Sequence, residues 1–380
     1  MLNEDTNILI TGATGLIGGE LVRRLVGSGV GRVSCLIRPQ TGRSADDRLQ
    51  DRFRLSSDQT CLGGEVPVEA VAGDVTAPQF GMNSADFARV TDSVDMIIHC
   101  ASELSFIRDI SCRQTNIAGM ENLISLTRSC KRSPLIVHIS TATVCGTVVN
   151  RCVTETDDTD TGDGHFNEYT RSKLVAEQVL RASGLPALVV RPSIVLSAEL
   201  PSENFAKAIL WFLPLLNEFE AVPVNPESRV DVVPVSFVVE SMVRLLQTPK
   251  REYGCYHISA GEGGAMRCGQ VAGYLDKYYA RSTPLTLIRP DQWTREIHRR
   301  YVRTPRQRKF FATLKYYLPF LNMDVVYDNS RLGSALGREA LEIPHVTEYI
   351  GQLLDLVTPA IQEEDGSLSV NRVSAATSLA

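Results

Sequence analysis

Asn7-Ile8-Leu9-Ile10-Thr11-Gly12-Ala13-Thr14-Gly15-Leu16-Ile17-Gly18 is the stretch on which the fold turns. A short apolar run enters a turn with glycine at every third position, and an amphipathic stretch, Ile17 to Val26, follows. That order predicts a buried parallel strand, a tight turn and a helix whose N-terminus faces the carboxyl edge of the sheet. Gly12 permits the turn, Gly15 lets a ligand approach bare backbone, and Gly18 allows the helix to pack closely on the strand. Thr14, Leu16 and Ile17 are the other turn residues expected to meet a bound pyrophosphate.

Outward from this turn, apolar runs alternate with helical patterns. Arg32 to Ile37, Val66 to Ala72, Met96 to His99, Leu135 to Ser140 and Ala187 to Arg191 read as further strands. Ile17 to Val26, Ile117 to Cys130 and Ser172 to Ala182 read as helices covering them. The predicted fold is α/β, a Rossmann-type doubly wound parallel sheet with a smaller, mainly helical C-terminal substrate-binding domain. Residues 1–195 form the expected cofactor core, with a returning segment near 228–260 that includes a strand at Cys255-Tyr256-His257-Ile258-Ser259. Residues 196–227 and 261–360 form the expected substrate-binding or lid region, and 361–380 a polar, disordered tail.

The 380 residues carry 43% hydrophobic and 22% charged side chains, values of a folded globular protein. A formal charge of −5 argues against wrapping of nucleic acid. Nine cysteines without a Cys-x-x-Cys pair, and a start lacking signal-peptide features, lead to the expectation of a reducing, cytoplasmic setting. No apolar run approaches a membrane span, and no His/Cys cluster suggests a metal site.

The second strand ends at Arg38, where a carboxylate would hold the ribose hydroxyl of NAD. A cation there, with Arg48 and Arg43 nearby, suits the 2′-phosphate of NADP(H). Asp74 and Val75 after the third strand, and Cys100, Ala101 and Ser102 after the fourth, are placed along the same cofactor. His99 and His138 lie in apolar strands and read as core residues.

Tyr169 and Lys173 are four apart in a helical pattern, so they share a face. A unit charge ~5 Å from the phenol, at an effective dielectric of ~20, contributes roughly 3 kcal/mol, about two pK units, and Lys173 is therefore expected to lower the Tyr169 pKa. The fifth strand ends in Ser140-Thr141-Ala142-Thr143-Val144-Cys145-Gly146, where a hydroxyl can reach a substrate at the sheet edge.

With the glycine turn, the strand-end Ser-Thr and Tyr169-x-x-x-Lys173 in this order, the chain resembles an extended short-chain dehydrogenase/reductase. Arg38 with Arg48-Leu49, Val189-Val190-Arg191-Pro192-Ser193-Ile194-Val195 and Val232-Val233-Pro234-Val235 are similar to the thioester-reductase and fatty-acyl-CoA-reductase branch. The resemblance implies Thr141, Tyr169 and Lys173 as catalytic residues and Asn116 as support for the site. It also implies Arg191, Pro192, Ser193, Ile194 and Lys173 among the cofactor contacts. Cys145 stands where related epimerases have tyrosine and is not expected to touch the reaction.

The activity so implied is NADPH-dependent reduction of a carrier- or CoA-bound acyl thioester to an aldehyde, with a second reduction to alcohol left open. The alternatives on the same fold are a reductase of free aldehydes or ketones, a sugar-nucleotide epimerase or dehydratase, and a non-catalytic NADP(H) sensor. Between Arg289 and Lys315 nine Lys and Arg residues face only Asp291 and Glu296. This local surplus suits an acidic carrier protein docking near Arg295–Lys315, or the phosphates of coenzyme A. Its interleaved Phe310, Phe311, Tyr316, Tyr317 and Phe320 also suit peripheral contact with a membrane surface.

Overall fold

Seven parallel strands build the central sheet: β1 (Asn7–Thr11), β2 (Arg32–Ile37), β3 (Val68–Ala72), β4 (Met96–His99), β5 (Leu135–Ile139), β6 (Ala187–Pro192) and β7 (Cys255–Ile258). Their spatial order is β7-β6-β5-β4-β1-β2-β3. The computed structural model describes residues 2–53, 66–157, 164–197, 212–249, 251–337 and 342–365.

Ile10 in β1 lies opposite Cys35 on one side and Ile98 on the other. The chain leaves β1 for β2 and β3, then crosses back to β4, so the winding direction reverses between β1 and β4. Ligands of open α/β sheets bind at the carboxyl end of such a reversal. The strands are apolar on both faces because helices cover both. On one side α1 (Leu16–Val26), α2 (Ala45–Phe53) and α6 (Val235–Gln247) pack over Ile8, Ile10, Val33, Ile98 and Val137. On the other, α3 (Ser84–Ser93), α4 (Gly119–Ser129) and α5 (Glu168–Ala182) cover Leu9, Leu36, Ile97 and Ile136.

A second apolar cluster is built from Leu213 to Phe219, α7 (Cys268–Tyr278), α9 (Pro305–Leu314) and α11 (Val346–Asp365); α8 (Arg295–Tyr301) leads into α9. Short strand pairs stitch this lobe to the sheet: Ile194–Leu196 with Val232–Pro234, and Val325–Tyr327 with Arg151–Val153. The lobes are not consecutive in sequence, because α10 (Ser330–Leu336) returns Leu332 to the first cluster. Segment 261–360 is therefore shared between lobes. Of the expected polar tail, residues 366–380 lie outside the described residues, and α11 runs to Asp365.

Several boundaries differ from the sequence reading for local reasons. Helix α5 starts at Glu168, four residues before Ser172, because the Asn167 side chain accepts from the Thr170 N–H at 3.0 Å and so satisfies an end group left open by the helix. The predicted helix 117–130 is a π-helical turn, Arg113–Ala118, that continues into α4. Among the described residues no helix is long and apolar enough to cross a membrane, and no three potential metal ligands cluster.

Candidate active site

The glycine turn closes at the carboxyl end of β1. Gly12 has φ +71°, and a Cβ there would lie 2.7 Å from the Ala101 amide nitrogen; one on Gly18 would lie 2.3 Å from the Gly12 carbonyl oxygen. The first-strand turn thus touches the β4 end and the α1 backbone at distances only glycine allows. Gly15 caps α1 without a side-chain partner, and no acidic residue occupies its first turn, so its N-terminal amides and positive dipole end suit a phosphate. Thr14, Leu16 and Ile17 are partly exposed around it. The Thr11 hydroxyl accepts from the Ala101 N–H at 3.2 Å, tying Cys100, Ala101 and Ser102 to the turn. These residues fit a dinucleotide.

At the end of β2, Arg38 keeps 66% of its side chain exposed, with Asp74 Oδ2 3.6 Å from its guanidinium. Asp74 also accepts from the Thr76 N–H and hydroxyl at 2.9 and 2.8 Å. Arg48 donates to the Arg38 carbonyl oxygen and so holds the backbone that presents Arg38. Val75 turns inward against α4, and Asn122 donates to its carbonyl at 2.9 Å.

The π-helical turn sets Asn116 beneath the site. Its side-chain oxygen accepts from the Ser102 hydroxyl and the Glu103 N–H, both at 2.9 Å, and its amide donates to Ser172 Oγ at 2.9 Å. All of its polar capacity is directed to the protein, linking the β4 loop to α5. π-helical turns of this kind recur at functional sites.

Thr141 comes close enough to Tyr169 for its side chain to favour the ionised phenol. Thr141 Oγ1 also lies 2.9 Å from Thr143 Oγ1. Burial of the hydroxyl pushes the Tyr169 phenol up to about 12, against a smaller lowering by Thr141. This corrects the expectation that Lys173 lowers it: the Lys173 ammonium donates to the Ile139 carbonyl at 2.6 Å and lies 3.4 Å from His138 Nε2. Shared helix face did not mean shared hydrogen bond, because an apolar strand end offered the ammonium a closer acceptor. Lys173 is 2% exposed, and burial brings it down to about 8, with Glu177 opposing.

His138 is the residue that sequence reasoning left in the core. It is buried as expected, yet its ring stacks on His99 at 5.6 Å and reaches Lys173. Thr11 Oγ1 meets His99 Nδ1 at 2.9 Å. One neutral imidazole is thus tied to Thr11 before the glycine turn and the other to Lys173, the two rings being stacked rather than hydrogen-bonded. Only the neighbouring strand register, His99 opposite His138, discloses it.

Arg191 was expected among the cofactor contacts, but its guanidinium turns into the interior. It pairs with Glu177 at 2.6 Å, with side-chain exposures of 3% and 1%, because a cation buried there requires a carboxylate. Pro192 and Ser193 are buried at the end of β6, and Ile194 begins the passage to the second lobe. Cys145 packs with Val325 and Tyr327, away from the hydroxyl pair.

In the basic segment, Arg303 pairs with Glu220 and Arg306 with Glu218 at 2.6 and 3.2 Å. Arg295, Arg299, Arg300, Arg308, Lys309 and Lys315 are exposed. The expectation of an aromatic membrane-facing surface is not met: Phe310 is buried in the second cluster, Phe311 stacks on Trp293, and Tyr317 and Phe320 pack on Phe106. Of the five aromatics Tyr316 alone is exposed.

Three comparisons bear on this geometry. The family described as male sterility protein, an NAD-binding family, matches residues 10–242. A nonribosomal peptide synthetase of Aspergillus flavus is 26% identical over 66% of the chain and 26% of its own length. Fatty acyl-CoA reductase 1 of Rattus norvegicus is 24% identical over 75% of the chain and 63% of its own length. The chain therefore spans only part of either relative. The terminal R domain of the myxalamid PKS-NRPS pathway superposes with a TM-score of 0.77 at 21% identity, covering 97% of this chain and 92% of that one, a likeness of fold.

Proposed function

The chain belongs to the male sterility protein family of NAD-binding proteins, and from that premise we propose that it reduces an acyl thioester to an aldehyde with NADPH. What supports the reading is Thr141 at the carboxyl end of β5, close to Tyr169 on α5, with Lys173 one helical turn further on and held by the Ile139 carbonyl. Two hydroxyls converging on one point can both donate to a substrate carbonyl oxygen, in a site dry enough for each bond to be worth ~3 kcal/mol in the transition state. The bound nicotinamide supplies the hydride. Tyr169 passes its proton to the oxygen that becomes a hydroxyl, and the hemithioacetal then breaks its C–S bond to release thiol and aldehyde. Lys173, anchored on the Ile139 carbonyl and beside His138, fixes a positive charge one helical turn from Tyr169. Arg38 selects NADPH by pairing with its 2′-phosphate.

The thioester is presented on an acidic carrier protein. What supports that partner is the cluster of exposed cations from Arg295 to Lys315 on a chain of net negative charge. The intact Thr141, Tyr169 and Lys173 set speaks against a cofactor sensor without chemistry.

The test is purified protein with NADPH and a panel of CoA-bound and carrier-bound acyl thioesters, following cofactor oxidation and identifying products. Aldehyde formation is expected. Turnover of a free ketone or a sugar nucleotide, with none of any thioester, would replace this reading.

A further inference from the structure

Strand β5 gives alternate residues to the two layers that cover it: Val137 and Ile139 belong to the cluster with α1, and Ile136 to the cluster with α5. His138 shares the α5 side with Ile136, at a position that sheet packing alone would fill with hydrocarbon. It is 1% exposed, and its ring stacks on His99 with centroids 5.6 Å apart and 25° between the planes. His99 is itself fixed by Thr11, whose Oγ1 is 2.9 Å from its Nδ1. His138 Nε2 lies 3.4 Å from the Lys173 ammonium, which also donates to the Ile139 carbonyl at 2.6 Å. An ammonium can only donate, so Nε2 is the acceptor and the ring proton sits on Nδ1. That Nδ1 is buried and finds no partner among the described residues. An unpaired buried donor is costly; a hydrocarbon side chain here would avoid the cost and forgo the acceptor.

We propose that His138 is a positioning residue for Lys173: with the Ile139 carbonyl it gives the ammonium two acceptors from successive residues of β5, which hold the nitrogen in one place, charged, one helical turn from Tyr169. The inference rests on the reductase reading, in which Lys173 belongs to the site, and adds the residue that keeps it there. One acceptor sets a distance; two set a position. The other titratable groups around the ammonium do not replace Nε2. On α5, Glu177 acts through space and is engaged by Arg191 at 2.6 Å, while burial keeps the Tyr169 phenol protonated up to about 12. At the end of β4, burial keeps His99 neutral down to about 3 and the Cys100 thiol protonated up to about 12, Lys173 opposing the latter. Without Nε2, an ammonium that is 2% exposed loses a bond to its charged form, and the proton leaves it more readily.

The titration of Lys173 can be read without turnover. The full chain is labelled with nitrogen-15 at lysine Nζ and titrated by NMR, the Lys173 signal being assigned by its loss in Lys173→Arg. His138→Phe keeps a ring to stack on His99 and removes the acceptor; Lys173 should then titrate at least about one pH unit lower than in the wild type, the worth of a hydrogen bond to a charged group. His138→Gln supplies a side-chain oxygen in place of Nε2 and should restore at least about half of that shift. The alkaline limb of kcat/KM for thioester reduction should move with the titration in each variant, a pattern that simple loss of packing would not produce. His138→Leu is the second apolar arm should His138→Phe lower the melting temperature. A Lys173 titration in the apolar variants that coincides with the wild type, or a His138→Gln titration no different from theirs, overturns the proposal even if thioesters are reduced. The expected shift and its rescue without turnover of any thioester would sustain His138 as the holder of Lys173 and refute the reductase reading.

Discussion

Glu177 and Arg191 meet as a buried ion pair at 2.6 Å, with Glu177 one helical turn beyond Lys173 on α5. The carboxylate therefore serves two cations, neutralising Arg191 by direct contact and supporting the charge of Lys173 through space. Glu177→Ala leaves Arg191 uncompensated in the interior, and the expected loss is about 3–5 kcal/mol of folding stability, read by chemical denaturation. Where enough folded protein remains, the alkaline limb of kcat/KM for NADPH should move to lower pH, since Lys173 then titrates below about 8.

Tyr169→Phe should reduce kcat by about 10²–10⁴-fold, and Thr141→Val by about 10²–10³-fold, with NADPH affinity nearly unchanged. Single-turnover rates and cofactor titration measure the two quantities separately. Rates near wild type in either variant would remove that hydroxyl from the reaction.

Acid should unfold the protein through its histidines. Burial holds His99 and His257 neutral down to about 3, and His138 is lowered well below its ordinary value, each with further help from nearby cations. In the unfolded chain each binds a proton near pH 6.5. Between that pH and the lower folded values the unfolded state holds more protons, so stability is lost as pH falls. Each histidine contributes up to about 1.4 kcal/mol per pH unit. Asp231 opposes this: burial raises its carboxyl to about 6, so between about 3.8 and 6 the folded state holds the extra proton. Denaturation midpoints at pH 7, 6 and 5 should fall stepwise, and the fall should be smaller in His257→Asn if that variant remains folded.

Arg38→Ala should raise the KM for NADPH by about 10–100-fold, the worth of a charge-assisted hydrogen bond to phosphate, and leave NADH within about twofold. The contrast between cofactors is the readout. A matching loss for both would assign Arg38 to the adenosine in general.

Gly18→Ala places a methyl group 2.3 Å from the Gly12 carbonyl oxygen, and backbone on both sides leaves little room to yield. An overpacking cost of about 1–3 kcal/mol is expected, with weaker NADPH binding because the turn must open. Thermal melts with and without cofactor test both.

The sheet was legible because strands buried on both faces write themselves as short apolar runs, and β7 could be located from Cys255 to Ile258 alone. The glycine turn was legible because its geometry tolerates no side chain. What escaped was settled across the fold rather than along it. Arg191 gives no sign in sequence that Glu177, fourteen residues earlier, claims its guanidinium. Lys173 sits one turn from Tyr169, as four-residue spacing demands, but the nearest acceptor for its ammonium comes from β5. Phe106 reads as an ordinary loop residue until α9 and the residues after it bring Tyr317 and Phe320 against it.

The chain passes between its two apolar clusters repeatedly: Val233 belongs to the first, Met266 to the second, Leu332 to the first and Val346 to the second. No single cut, by protease or by gene design, puts the two clusters on separate fragments. During synthesis the segment matched by the family, residues 10–242, emerges from the ribosome before the strand that borders β6 exists. The growing polypeptide therefore leaves the edge of β6 unpaired until residue 258 is free, an interval in which that edge is open to pairing with another chain.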